Sequence, residues 1–472
     1  DMVGLSAKFY VWEGMKPLRD AAGLEKRALL SMPSVFADNA VLQRDEPLNI
    51  WGSSVPGSTV TVTIDGRNYY AEAAADGSWQ LTAGAISVRE EPYTMSVVSD
   101  AGAELSFDGI LAGDVWLVSG QSNMELSLAK VNNADEEAAA AADYTDRIRL
   151  FKQNKNGTQK ALRDTPSGRW ELCTPDTVKS FSAIGYMFAR EISDDIDVPI
   201  GILYAAFGGA RMEAFISRGA LEASGIAGAA DYYCASDERR SASRIYNAML
   251  APLIPYNLKG CLWYQGCANI GVYEQYAELS EVLLNDWREK WGDADMPFII
   301  TQLAAYGREG VENIENYPLL REAQLRFAEK QADNNVAMAV ILESGEKNNI
   351  HPTDKQTPAH RLALAAKGTV YGRDVGYMYP SPVSLEVSEL TATVHFKNVY
   401  EGLTAQTAPA AFEILAEDGV WYPADAEIVG TDRVSVTDCT HAPKAVRCGF
   451  APYPDPMVNL YNSAGLLVTP FR

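Results

Sequence analysis

The chain is poor in the residues that build metal centres. It has four histidines and six cysteines in 472 residues. Cys173, Cys234, Cys261, Cys267, Cys439 and Cys448 form no Cys-x-x-Cys pair and no Cys/His group at ligand spacing, so a structural zinc site is not expected. No stretch supplies the about 18 consecutive apolar residues that a membrane span requires. Glycine-rich phosphate loops of the P-loop or dinucleotide type are missing. Positive charge is scarce: 40 Lys and Arg stand against 62 Asp and Glu, a formal net charge of −22. Such a surface repels phosphate backbones, so nucleic acid is not an expected partner. Residues 1–30 show no basic start followed by an apolar run; a signal peptide has been removed, or there was none.

What is present is a change of texture along the chain. Residues 1–32 are weakly patterned and read as an arm. From Pro33, Val60, Val62 and Ile64 alternate with threonines, and Asp65-Gly66 and Asp76-Gly77 punctuate the runs, as in a small antiparallel β-sandwich over about 33–110. The next region holds short apolar runs at Val115–Val118, Pro199–Ala206, Gly260–Tyr264, Pro297–Leu303 and Val336–Leu342. Amphipathic stretches lie between them, one with Phe181, Ile184, Met187, Phe188 and Ile192 on one face and another with Tyr276, Leu279, Val282 and Leu283. Buried strands alternating with helices predict an α/β doubly wound parallel sheet, whose sites lie beyond the strand carboxyl ends. After Pro380, Thr391–Phe396, Ala411–Leu415 and Arg433–Val436 predict a second β region. The organisation is an arm and β-sandwich over 1–110, a catalytic domain over 111–380 and a β region over 381–472. The Ala- and Glu-rich segment 132–142 reads as a solvated helix. Cys439 and Cys448, nine apart in β texture, are either a hairpin disulfide or two buried thiols.

Four loops follow the apolar runs. A serine hydroxyl needs a base within hydrogen-bond reach and donors aimed at the oxyanion. Ser122, in Gly120-Gln121-Ser122-Asn123-Met124, is either such a nucleophile or a helix N-cap. Met124 stands where the α/β-hydrolase elbow has its second glycine, so this is a different turn. His351 lies in a loop after the last apolar run, the place for a general base, while a structural loop histidine is the alternative. His395 falls in a β run, His441 in a late loop and His360 on a helix face. Gly208-Gly209-Ala210 and Gln265-Gly266-Cys267-Ala268-Asn269 are either turns or sources of oxyanion donors.

These loops resemble the blocks of the sialate O-acetylesterase-like branch of the SGNH hydrolases. The likeness runs through Asp114–Glu125, Phe207–Phe215, Tyr246–Pro255, Lys259–Gly266 and Ile350-His351-Pro352 with Lys355-Gln356 and Arg361–Ala363. Pro33–Gly57 and Asn459–Asn462 resemble the flanking regions. The resemblance implies a three-layer α/β/α core (flavodoxin-like) with an N-terminal β domain. It implies hydrolysis of O-acetyl groups on a carbohydrate substrate, without metal or cofactor, in a periplasmic or secreted setting. O-acetylated sialic acid is the leading substrate and acetylated plant polysaccharide the second. By position, Ser122 is the nucleophile and His351 the base; the backbone N–H groups of Ser122 and Gly209 and the Asn269 side chain hold the oxyanion, and Gln265 lines the site. Arg211 either pairs with a substrate carboxylate or makes an internal pair with Glu213.

Three positions depart from the family pattern. Amides, Asn348 and Asn349, stand where an aspartate commonly precedes the histidine; Cys267-Ala268 replaces Glu-Ser; Ala210 replaces a hydroxyl residue. A missing carboxylate leaves three readings open: a Ser-His dyad held by a backbone or amide oxygen, a triad completed by Glu343 or Glu346, or a weakly active glycan-binding protein.

Overall fold

A computed structural model describes residues 29–165 and 167–472; nearly all of the expected arm lies outside the described residues. The central sheet contains β1 (Ala103–Gly120), β2 (Ile148–Lys152), β3 (Arg169–Leu172), β4 (Ile200–Ala206), β5 (Gly260–Tyr264), β6 (Phe298–Thr301) and β7 (Val336–Ala339). Their order is β3-β2-β4-β1-β5-β6-β7. All neighbours are parallel except the edge strand β3. The middle strands are buried along their whole length, which is why they read as unbroken apolar runs.

Five helices matter for the site: α1 (Ser122–Glu125), α2 (Ala183–Ile196), α3 (Tyr276–Trp291), α4 (Tyr317–Lys330) and α5 (Gln356–Thr369). The chain leaves β1 toward β4 on one side and builds β5, β6 and β7 on the other. α3 packs against α4, and α2 against α5; the right-handed rule for crossovers between parallel strands places the two pairs on opposite faces. The result is a three-layer α/β/α core with its switch point at β1. A crevice opens there, beyond the carboxyl ends of β4, β1 and β5.

The same strand also builds the amino-terminal β layer. Its first half pairs antiparallel with Tyr93–Ser99, which continues to Thr59–Ile64 and Arg67–Glu72. Leu48–Ser54 and Ser78–Ala83 form the facing sheet with Leu30–Ser31. The Asp65-Gly66 turn has both φ values positive, +51° and +69°, as a two-residue hairpin requires. The boundary expected near residue 110 therefore falls inside a continuous strand. Val60, Val62, Trp79 and Met95 share one apolar core with Val115 and Trp116. The carboxyl-terminal β region has its own core around Val394, Phe412, Ile414 and Val436.

Two expectations about segments change. Cys439 is exposed and Cys448 buried, both as free thiols. Cys448 lies on a strand whose partners are Phe412–Leu415 and Phe471, so the two cysteines do not face one another across a hairpin. The Ala-rich segment does form a helix, Ala134–Ala140, but Glu137 is buried and paired with Arg190. Its inner face is thus packed rather than solvated.

Candidate active site

β1 ends at Gly120, whose φ is +128°. A Cβ there would meet the Tyr264 carbonyl oxygen at 2.2 Å, so only glycine lets the strand end this close to β5. Gln121 anchors the turn: its N–H donates to Tyr264 O at 2.9 Å, and its Oε1 accepts from the N–H groups of Gly266 and Ala268, each at 3.3 Å. The N-cap position of α1 is Gln121, so Ser122 is the first helical residue and not a cap. Its hydroxyl is free for other work. It meets His351 Nε2 at 2.8 Å, across 229 residues of chain.

The histidine loop is held to the serine helix directly. Asn123 Nδ2 donates to Ile350 O at 3.0 Å. Asn349 Oδ1 accepts the His351 N–H at 3.0 Å, and Asn349 Nδ2 donates to Glu346 at 3.0 Å. The other oxygen of Glu346 accepts from the N–H and hydroxyl of Thr353, at 2.6 and 2.9 Å. Those donors hold its carboxyl below the ordinary range, the Thr353 N–H foremost. Buried Lys355, its ammonium pushed down to about 8 by burial, donates to Pro352 O. Glu343 pairs with Arg361 on the far side of the loop. Both acids weighed as replacements for the missing carboxylate are thus engaged elsewhere. Among the described residues no acceptor bonds His351 Nδ1, so the backbone or amide oxygen expected for a dyad is not there either.

Burial lowers the His351 pKa below its ordinary 6.5, and the ammonium groups of Lys355 and Lys130 lower it further; the Glu125 carboxylate opposes them. A neutral imidazole is therefore the resting state at pH 7, as a general base needs. Cys267 is half-buried, and burial pushes its thiol up, so it stays protonated at neutral pH and is not a competing nucleophile.

The second loop meets the serine from the β4 side. Gly208 N–H donates to Glu125 Oε2 at 2.6 Å, and a Cβ on Gly208 would touch Ser122 Cβ at 3.4 Å. Gly209 has φ +71°, and its carbonyl accepts from Arg240 at 3.2 Å. Among the described residues the N–H groups of Ser122 and Gly209 have no protein acceptor. Both are free donors at this edge.

The third loop behaves differently from expectation. Asn269 is fully buried; its Oδ1 accepts from Met212 N–H and Gln265 Nε2, and its Nδ2 donates to Glu213 at 2.9 Å. Gln265 is fully buried as well and donates to Ala210 O. Arg211 pairs with the buried Glu213 and lies over the Tyr232 ring at 4.3 Å. Glu213 without partners would be a bare buried charge; the Asn269 amide donates to its Oε2, and Arg211 supplies the counter-charge beside Oε1. In this conformation Asn269, Gln265 and Glu213 form a layer beneath the site and offer no surface to a substrate.

Ser122 and His351 open onto a cleft of about 380 Å³, walled also by Lys130, Lys152, Lys155 and Phe181. The sequence reading did not single out Asn123, Glu125 or these lysines. Asn123 and Glu125 lay inside the quoted serine block. The lysines could have been noticed as basic residues close to a strand end in an acidic chain. Among the described residues no helix is long and apolar enough to cross a membrane.

The architecture and the crevice at β1 are those of an SGNH-type hydrolase. The family model described as "Carbohydrate esterase, sialic acid-specific acetylesterase" matches residues 112–365, more than half of the chain. A carbohydrate acetylesterase from Xanthomonas citri, known by crystal structure, is 34% identical with a TM-score of 0.85; the match covers 94% of this chain and 99% of that one. The sialate O-acetylesterases of Pongo abelii and Homo sapiens are 27% and 26% identical, over 89% of this chain and 87% of each relative. The chain belongs to the sialic acid-specific acetylesterase family of carbohydrate esterases, and it is a carboxylic ester hydrolase acting on O-acetylated carbohydrate.

Proposed function

We propose that the protein removes acetyl groups from O-acetylated sialic acid through a Ser122–His351 dyad. The observation that carries the mechanism is the 2.8 Å contact between Ser122 Oγ and His351 Nε2 at the switch point of the sheet. Ser122 Oγ attacks the acetyl carbonyl carbon while His351 Nε2 takes its proton. The resulting oxyanion is held by the free N–H groups of Ser122 and Gly209. Collapse expels the sugar hydroxyl, which takes back the proton from the imidazolium. Water activated by the same Nε2 then cleaves acetyl-Ser122, releasing acetate.

Asn269 does not hold the oxyanion in this scheme, because its amide already serves Glu213. Accepting at Nε2 requires the proton on Nδ1, and among the described residues no partner holds that tautomer. An aspartate in that role is worth on the order of 10⁴ in rate elsewhere. The unpartnered Nδ1 supports a second reading, a slow enzyme that mainly binds glycan. Turnover of an aryl acetate by the parent and by Ser122→Ala separates the two. We expect release of acetate that falls at least 10³-fold in the variant. Equal rates in both proteins would end the esterase mechanism.

A further inference from the structure

We propose that Lys130 and Lys152 form the subsite that receives the carboxylate of the sugar, and that they set a preference for acidic over neutral acetylated sugars. This rests on the esterase reading of Ser122 and His351. Although the chain carries a net charge of −22, three ammonium groups converge on the one cleft that contains both catalytic side chains. The Lys155 charge is answered by Glu125 at 2.7 Å, the single carboxylate on these walls. Among the described residues the Lys152 ammonium donates only to the Ser180 hydroxyl, at 2.6 Å, and the Lys130 ammonium makes no ion pair or hydrogen bond. Two positive charges are thus left there without a counter-charge in a molecule that has an excess of acids to offer them.

Their placement fits a ligand that also reaches Ser122. Lys152 ends β2, on the β4 side of the switch point, and Lys130 follows α1 by five residues. The Lys130 ammonium is near enough for its field to help depress His351. Phe181 and Tyr204, rings 5.8 Å apart, give the same cleft an apolar wall suited to a pyranose face. Arg211, which the sequence left either to a substrate carboxylate or to an internal pair with Glu213, makes the internal pair and is not on these walls. The carboxylate is left to the two lysines.

The test compares acetate release from an O-acetylated sialic acid and from its carboxamide, which has the same shape and no charge. In the parent, kcat/KM for the acid should exceed that for the amide by about tenfold at low salt, the worth of one charge-assisted contact. The margin should shrink in 0.5 M NaCl. In Lys130→Met/Lys152→Met the ratio should fall to about one, with the loss carried by KM for the acid, while Lys152→Arg keeps the preference. A parent that deacetylates both substrates without discrimination, or a double variant that retains the full preference, would overturn the subsite alone. Absence of any Ser122-dependent turnover would overturn the esterase reading and the subsite with it.

Discussion

Replacing Asn349 by aspartate looks, from the family pattern, like the restoration of a missing catalytic acid. The geometry predicts the opposite result. Asn349 spends its oxygen on the His351 N–H and its amide on Glu346, each at 3.0 Å. Asn349→Asp keeps the first bond and turns the second into two carboxylates in contact. At 3 Å in water-like surroundings, two unit charges repel by about 1.4 kcal/mol, and more where solvent is excluded. The lost hydrogen bond adds about 1 kcal/mol. That load falls on the segment that presents His351 to Ser122. With a little over half of that load reaching the catalytic geometry, kcat/KM for an aryl acetate at pH 8 should fall by about tenfold, the equivalent of about 1.4 kcal/mol.

The pH dependence makes the reasoning testable beyond a simple loss. In the parent, donors from Thr353 and Asn349 hold the Glu346 carboxyl low. In the variant the facing charges raise the pKa of the pair, because two carboxylates in contact do not both ionise readily. The penalty needs both charges, so it is complete above the raised pKa and fades as pH falls through it. A repulsion of about 1.4 kcal/mol raises a carboxyl pKa by about one, so the variant-to-parent ratio should stay flat between pH 8 and pH 6 and climb only as pH falls below 6 into the carboxylate range. A rate gain of tenfold or more at pH 7 would refute this account. It would mean that position 349 reaches the imidazole ring rather than Glu346.

Other perturbations check separate parts of the structure. Because burial and two lysines lower the His351 pKa, the neutral base persists below pH 6.5, and activity is lost only as pH falls through that depressed value. The acid limb of kcat/KM should lie below 6.5, and Lys130→Gln should move it upward; a parent limb at or above 7 would contradict the charge arrangement. Gly209→Ala puts a Cβ on a residue at φ +71° and within 2.3 Å of the Arg240 guanidinium. A proposed oxyanion donor would be displaced, so kcat should fall about 10²-fold with little change in KM. Alkylation of the native protein should label exposed Cys439 and leave buried Cys448 untouched until unfolding. A reductant-dependent fall in Tm would instead reveal a disulfide.

The parallel sheet was legible because its middle strands are buried on both faces and read as apolar runs. β2 escaped notice because Arg149 and Lys152 interrupt its pattern. Arg149 is nevertheless buried, its guanidinium donating to the carbonyls of Thr145 and Ile148 at 2.6 and 3.1 Å. α4 escaped for a related reason: its inner face carries Arg321 and Gln324. Arg321 donates to the backbone of Ala451 and Pro452, and Gln324 Oε1 accepts from Leu303 N–H at 2.9 Å. Periodicity counts such residues as solvent-facing, whereas here they join core elements to one another. At the site, the meeting of Ser122 and His351 followed from strand-end logic and family blocks together. The direction of each amide did not, since a side chain that can donate and accept is assigned only by its neighbours.

Glu213 shows what that costs a reading by position. Asn269 stands in the loop from which an oxyanion donor was expected, and its spacing from the preceding strand suits that role. Burying a carboxylate beneath the same loop changes the competition. An ionised Glu213 is expensive unless it is paired and hydrogen-bonded, and the Asn269 amide, already fixed by Met212 and Gln265, is in place to meet that demand. The charge below the floor therefore draws on the donor that would otherwise face the substrate. If Glu213→Gln removes that claim on Asn269, kcat should rise rather than fall. A fall in kcat at unchanged Tm would mean that Asn269 serves best when Glu213 holds it.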